Sequence, residues 1–131
     1  MIVVDSSAIV AIALAEAEAT QFAKLIVNTT CWIAAPTVLE THMVLTGRVP
    51  ARVDLFMRGF LSQDNIKVEP FDQMMSLIAC EAFVRFGRGH HSARLNFGDC
   101  ISYAFAKSRD LPLLFKGNDF PLTDIRPACR P

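Results

Sequence analysis

Four acidic residues fall at the seams of this chain's hydrophobic pattern: Asp5, Glu40, Asp99 and Asp119. Asp5 ends the apolar run Met1-Ile2-Val3-Val4 and precedes Ser6 and Ser7, so a carboxylate stands where a buried strand gives way to a helix start. Glu40 and Asp99 sit at the openings of helical patterns, and Asp119 lies in the loop after Gly117 and Asn118. Two carboxylates at contact distance repel by roughly 4 kcal/mol at an effective dielectric of 20. A converging set therefore needs a counter-charge, and hard Mg²⁺ or Mn²⁺ suits oxygen donors. Such an ion activates water for in-line attack on a phosphodiester and needs no nucleophilic side chain. Each acid also has an ordinary structural reading: Asp5 as a helix cap, Glu40 and Asp99 as first-turn acids complementing a helix dipole, Asp119 as a turn residue.

The elements that must position these groups alternate between strand-like and helical, which predicts an α/β fold with a parallel sheet covered by helices on both faces. Strands are expected at Met1–Asp5, Trp32–Ala35, Ile66–Glu69 and Leu113–Phe115, with Thr123–Arg126 as an added edge strand. Helices are expected over Ala8–Ala15, capped by Ser6 or Ser7, then over Glu16–Val27 and from Pro36 to near Gly47. Three more follow at Val49–Leu61, Phe71–Phe86 and Phe97–Ser108, the last capped by Asn96, with Gly87-Arg88-Gly89 as a flexible break. In open parallel sheets, ligands bind beyond the carboxyl ends of the strands, where the strand order reverses. Residues just past a strand, or at a helix start that follows one, face that edge, and this describes all four acids.

The 131 residues fit a single domain, 1–131, long enough to bury about two-thirds of the surface its unfolded chain exposes. At 52% hydrophobic residues the chain is somewhat more apolar than an average soluble domain, and the excess is read as interface. Thirteen basic residues balance thirteen acidic ones, so no global field draws in nucleic acid and any attraction must be local. One such region is Arg85, Arg88, His90, His91 and Arg94, with no acid between them; it is either a solvated loop or a backbone-binding patch. The longest uncharged apolar stretch, Ala8 to Ala15, is far short of the roughly 20 residues that span a bilayer, and the chain is expected to be cytoplasmic.

Cys31, Cys80, Cys100 and Cys129 contain no C-x-x-C pair and are expected as buried reduced thiols, since a zinc site with His90 and His91 lacks the usual ligand spacing. There is no phosphate-cradling G-x-x-x-x-G-K-[ST] loop. An aspartyl-nucleophile phosphatase is disfavoured because Asp5-Ser6-Ser7 lacks the second Asp two residues on. The stripe Val49, Val53, Phe56, Met57 and Phe60 has helical spacing and is either core or a docking groove.

These motifs resemble the PIN-domain ribonucleases, and among them the VapC toxins of toxin–antitoxin pairs, over nearly the whole chain. Ile2-Val3-Val4-Asp5-Ser6-Ser7 resembles the family's opening, and Ala35-Pro36-Thr37-Val38-Leu39-Glu40 its Pro-containing helix with a second acid. Leu95-Asn96-Phe97-Gly98-Asp99-Cys100 resembles the segment of the third acid, and Lys116-Gly117-Asn118-Asp119-Phe120 the closing motif. Lys116 departs from the Ser or Thr that many relatives carry near this position, and the fourth acid shifts by about a residue within the family.

The resemblance implies a PIN-like α/β/α sandwich with a mainly parallel sheet of four to five strands. It implies Mg²⁺- or Mn²⁺-dependent cleavage of RNA, with tRNA or rRNA as the target and translation inhibited. Asp5, Glu40, Asp99 and Asp119 would be the metal-binding acids, with Ser7 and Asn118 supporting them. It further implies a VapB-type antitoxin as partner, a homodimer, and a heterotetramer or larger assembly. The Val49 to Phe60 stripe would serve as the antitoxin groove and the Arg85 to Arg94 patch as the RNA contact. A catalytically silent PIN-like module that only binds RNA or protein is the alternative.

Overall fold

The computed structural model describes residues 1–129; the last two residues of the expected domain lie outside them. Four parallel strands, β1 (Ile2–Val4), β2 (Cys31–Ala34), β3 (Ile66–Glu69) and β4 (Leu113–Leu114), form a sheet in the order β3-β2-β1-β4. Six helices accompany them: α1 (Ser6–Ala13), α2 (Ala19–Val27), α3 (Ala35–Arg48), α4 (Val53–Leu61), α5 (Gln73–Phe86) and α6 (Phe97–Arg109). None of the helices is long and apolar enough to cross a membrane among the described residues.

The period-two alternation of strand side chains divides the core into two layers. Val3 and Leu113 point to one face, where Ala82 and Phe86 of α5 and Tyr103, Phe105 and Ala106 of α6 pack on them. Ile2, Val4, Cys31, Ile33 and Leu114 point to the other, against Ile9 of α1, Phe22 and Ile26 of α2 and Phe60 of α4. Strands buried on both faces must be apolar throughout, and β1 is, with all three of its residues buried. The result is the expected three-layer sandwich. After β1 the chain builds outward through β2 to β3, and β4 then returns to the opposite side of β1, so the strand order reverses between β1 and β4.

Several boundaries differ from expectation for local reasons. The cap of α1 is Asp5 itself, whose side chain accepts from the Ser7 backbone N–H at 3.0 Å, rather than Ser6 or Ser7. The expected Val49–Leu61 helix is a 3₁₀ turn at Pro50–Arg52 followed by α4. Glu40 lies in the second turn of α3, whose first turn carries no acid, so the dipole reading does not account for it. Thr123–Arg126 forms no strand: the chain first makes a 3₁₀ turn at Phe120–Leu122. It then meets β4 through a single bridge at Pro127, with Leu113 N–H donating to the Arg126 carbonyl and Ala128 N–H donating to the Leu113 carbonyl.

The Gly87-Arg88-Gly89 segment is built rather than a flexible break. Gly87 pairs with Leu95 in an isolated bridge, and a Cβ on it would overlap the Phe83 carbonyl and ring. Gly89 has φ +88°, the left-handed region that glycine enters at little cost.

The expected docking stripe is corrected by burial. Val53, Met57 and Phe60 are buried, and Val49 and Phe56 are half-buried against the same clusters. An amphipathic helix turns its apolar stripe to the core, so these residues hold α4 onto α1 and α3 and offer no groove.

Candidate active site

Asp5 follows β1 directly and extends its ladder, its N–H donating to the Leu114 carbonyl at 2.9 Å. This puts the carboxylate at the carboxyl edge where the strand order reverses. It is only 2% exposed, and a buried carboxylate needs partners. Oδ2 accepts from the Ser7 N–H at 3.0 Å and from the Ser7 hydroxyl at 2.6 Å, and Oδ1 accepts from the Ser102 hydroxyl at 2.5 Å. Ser7 Oγ in turn accepts from the Lys116 backbone N–H at 2.9 Å, which ties the loop after β4 to the first acid. The Lys116 ammonium is turned away, held between Glu16 and Glu18.

Asp99 is the third residue of α6 and closes a reciprocal capping box. Its Oδ2 accepts from the Asn96 N–H at 3.0 Å, while Asn96 Oδ1 accepts from the Asp99 N–H at 2.9 Å. Burial pushes its carboxyl up to about 7, and the charges of Asp5, Asp119 and Glu40 push the same way against the Asn96 hydrogen bond. The other three acids thus all lie close enough to Asp99 at this edge to act on its charge. Burial also raises Glu40, which the Ser6 hydroxyl opposes and the Asp5 charge reinforces. The Glu40 carboxylate lies flat against the α6 backbone at Gly98, in space that a Cβ there would occupy.

Asp119 and Asn118 are exposed, in the loop after Gly117, and Asp119 is the outlying member of the set. No group of three or more His, Cys, Asp or Glu side chains stands at ion-holding spacing among the described residues. The acids are neighbours whose oxygens are tied to Ser7, Ser102 and the Asn96 N–H, as mutual repulsion requires. Their chemistry, hard carboxylate oxygens with no sulfur or imidazole among them, fits Mg²⁺ or Mn²⁺.

The basic segment belongs to the same edge, because it links the end of α5 to the start of α6. Arg88, His90, His91 and Arg94 are exposed there, just before Asn96. His90 and His91 stand edge-on to Phe83 and Phe86. Arg85 is drawn off towards Asp124, 4.0 Å away, and stacks over Phe86. Cys31, Cys80 and Cys100 are free thiols; Cys80 is exposed and Cys129 half-buried rather than buried, and burial lifts Cys31 and Cys100 to about 11.

Sequence reading missed Ser6, Gly98 and Ser102. Ser102 carried a signal: a small polar residue three positions after Asp99, between Ile101 and Tyr103 in a mainly apolar stretch of helix.

The family model for the PIN domain matches residues 2–125. A VapC ribonuclease of Mycobacterium bovis is 38% identical over 129 residues, covering 97% of this chain and 98% of that protein. Ribonuclease VapC36 of Mycobacterium tuberculosis is 40% identical over 125 residues, covering 94% and 90%. Among solved structures, Mycobacterium tuberculosis VapC20, described as a sarcin–ricin-loop-cleaving toxin, superposes with a TM-score of 0.74 at 20% identity, covering 97% of this chain and all of that one. A toxin–antitoxin complex from Klebsiella pneumoniae gives 0.68 at 15% identity, covering 92% and 90%. Fold, acid edge and relatives agree: the chain belongs to the PIN-domain family, among its VapC ribonucleases.

Proposed function

We propose that this protein is a divalent-cation-dependent endoribonuclease, the toxin of a VapB–VapC-type pair, which cuts tRNA or rRNA in the cytoplasm and so inhibits translation. The observation that carries the reading is the gathering of Asp5, Glu40 and Asp119 around Asp99 at the switch point of the sheet. Asp5, Glu40 and Asp99 would hold Mg²⁺ or Mn²⁺, with Asp119 and Asn118 at its outer side. A bound ion supplies an activated water and neutralises charge on the phosphate. The chain's own residues do the rest. Ser7 and Ser102 orient Asp5, Ser6 faces Glu40, and the Asn96 box sets Asp99. Arg88, His90, His91 and Arg94 would steady the RNA backbone beside them, a role that positions without reading sequence.

The test is incubation of the purified protein with pooled tRNA and rRNA. Cleavage is expected with Mg²⁺ or Mn²⁺ and none with excess EDTA. RNA left intact under every ion supplied would instead indicate the silent module.

The apolar excess supports a homodimer, on a different surface from the α4 stripe. Leu39, Met43 and Val44 of α3, Phe83 and Val84 of α5, and Phe97 are all exposed. Phe97, 84% exposed, stands between hollows of about 410 and 610 Å³. A protruding ring beside open apolar hollows on one patch is self-complementary, which is what a two-fold contact between identical copies requires. We therefore assign this face to a second copy of the chain. Phe97→Glu is expected to give a monomer by light scattering, with a melting temperature within a few degrees of wild type because the ring supports no core. A dimer unaffected by the substitution would move the contact elsewhere.

A further inference from the structure

We propose that Ser102 is a positioning residue for the reaction, fixing the Asp5 carboxylate from the side opposite Ser7. The inference rests on the reading that Asp5 belongs to the active site. Ser102 is 1% exposed in the middle of α6, where Cys100, Ile101, Tyr103, Ala104, Phe105 and Ala106 are all buried around it. A hydroxyl in a helix interior commonly bonds back to the carbonyl one turn earlier. This one instead crosses 97 positions of sequence to donate to Asp5 Oδ1 at 2.5 Å.

The consequence lies in how the carboxylate's acceptor sites are shared. Each oxygen of an ionised carboxylate offers two lone pairs. Among the described residues Oδ2 receives two donors, the Ser7 N–H and hydroxyl, whereas Oδ1 receives only the Ser102 hydroxyl. The Ser7 hydroxyl cannot swing away, because its oxygen also accepts from the Lys116 N–H. The two serines, one from the cap of α1 and one from α6, thus lock the plane of the carboxylate and leave Oδ1 the oxygen with an open acceptor site. Hydrogen bonds behind ligating carboxylates set their orientation, and losing one typically lowers metal affinity or activity about 10- to 100-fold. Because Asp99 sits three residues earlier on the same helix, Ser102 also fixes the distance between the first and third acids.

The experiment uses the full chain with Ser102→Ala and Ser102→Thr, beside Asp5→Asn as reference. Melting curves establish that each variant is folded, Mn²⁺ affinity is measured without RNA by electron paramagnetic resonance, and kcat and KM are measured separately. Ser102→Ala is expected to be folded, to bind Mn²⁺ about 10-fold more weakly, and to lose kcat about 10- to 100-fold with KM little changed. Ser102→Thr, which keeps the hydroxyl, is expected to recover most of both. A folded Ser102→Ala with wild-type Mn²⁺ affinity and kcat would overturn the proposal, as would one that fails to fold, since the hydroxyl would then serve stability. If Asp5→Asn itself cleaves RNA normally, the underlying active-site reading falls; if only Ser102→Ala does, this inference alone falls.

Discussion

Asp99→Asn is expected to abolish RNA cleavage and, in metal-free protein above pH 7, to raise the melting temperature. The carboxyl sits at about 7 in the fold against an ordinary 3.8, pushed there by burial and by three neighbouring acids. Below pH 3.8 the group is protonated in both folded and unfolded chains and costs nothing. As pH rises from there through 7, the unfolded chain releases its proton more readily than the native one, so native stability falls. The full shift corresponds to about 4 kcal/mol, which solvent around a half-buried side chain reduces to about 2. Against this, the replacement gives up the favourable placement of a negative charge in the first turn of α6, about 0.5 kcal/mol. The capping box survives, because an amide oxygen can accept from the Asn96 N–H as the carboxylate does. Relief of repulsion is the larger effect, and a gain of about 1.5 kcal/mol is worth roughly 5 °C for a chain of this length. The gain should be absent near pH 4 and complete by about pH 8. Adding Mg²⁺ should reverse the ranking, since only a protein that binds the ion is stabilised by it. Melts at both pH values with and without Mg²⁺ check all of this; a variant no more stable than wild type at pH 8 without metal would remove the repulsion from the account.

What the sequence made legible follows from what each interaction depends on. The apolar run before Asp5 and the Asn96 cap are local signals, and the strand, the helix start and the capping box appear where those residues place them. That Asp5 and Asp99 lie at one edge was readable because a parallel sheet sends every strand end and following helix start to one side. Contacts made across the fold left weaker traces. Ser102 meets Asp5 only because α6 crosses the end of β1, and Gly98 meets Glu40 only because α6 packs beside α3. The α4 stripe was ambiguous because a buried face and a binding face have the same 3.6-residue period; only packing against α1 and α3 decided it. Phe97 gave no periodic signal at all, being a single exposed ring at a helix start.

Gly98→Ala separates stability from activity most cleanly. In the first turn of a helix, replacing Gly by Ala ordinarily stabilises by up to about 1 kcal/mol, since the unfolded chain loses freedom and the helix gains propensity. At Gly98 the added methyl would occupy the space of the Glu40 carboxylate. That obstruction is the far end of a flexible side chain rather than backbone, so the fold can relieve it by rotating Glu40 outward from α3. The carboxylate then leaves the Ser6 hydroxyl and the neighbourhood of Asp5. A displacement of about 1 Å at a reacting centre can cost 100-fold in rate, so cleavage is expected to fall by roughly 10- to 100-fold while the melting temperature stays level or rises. Mn²⁺ affinity should fall with the rate, because the displaced group is one of the proposed ion-holding acids. Restoring room by shortening the acid, in the double variant Gly98→Ala with Glu40→Asp, should recover part of the loss. Full activity in Gly98→Ala would mean that Glu40 does not need its present seat against α6, and would remove it from the set of acids on which the mechanism depends.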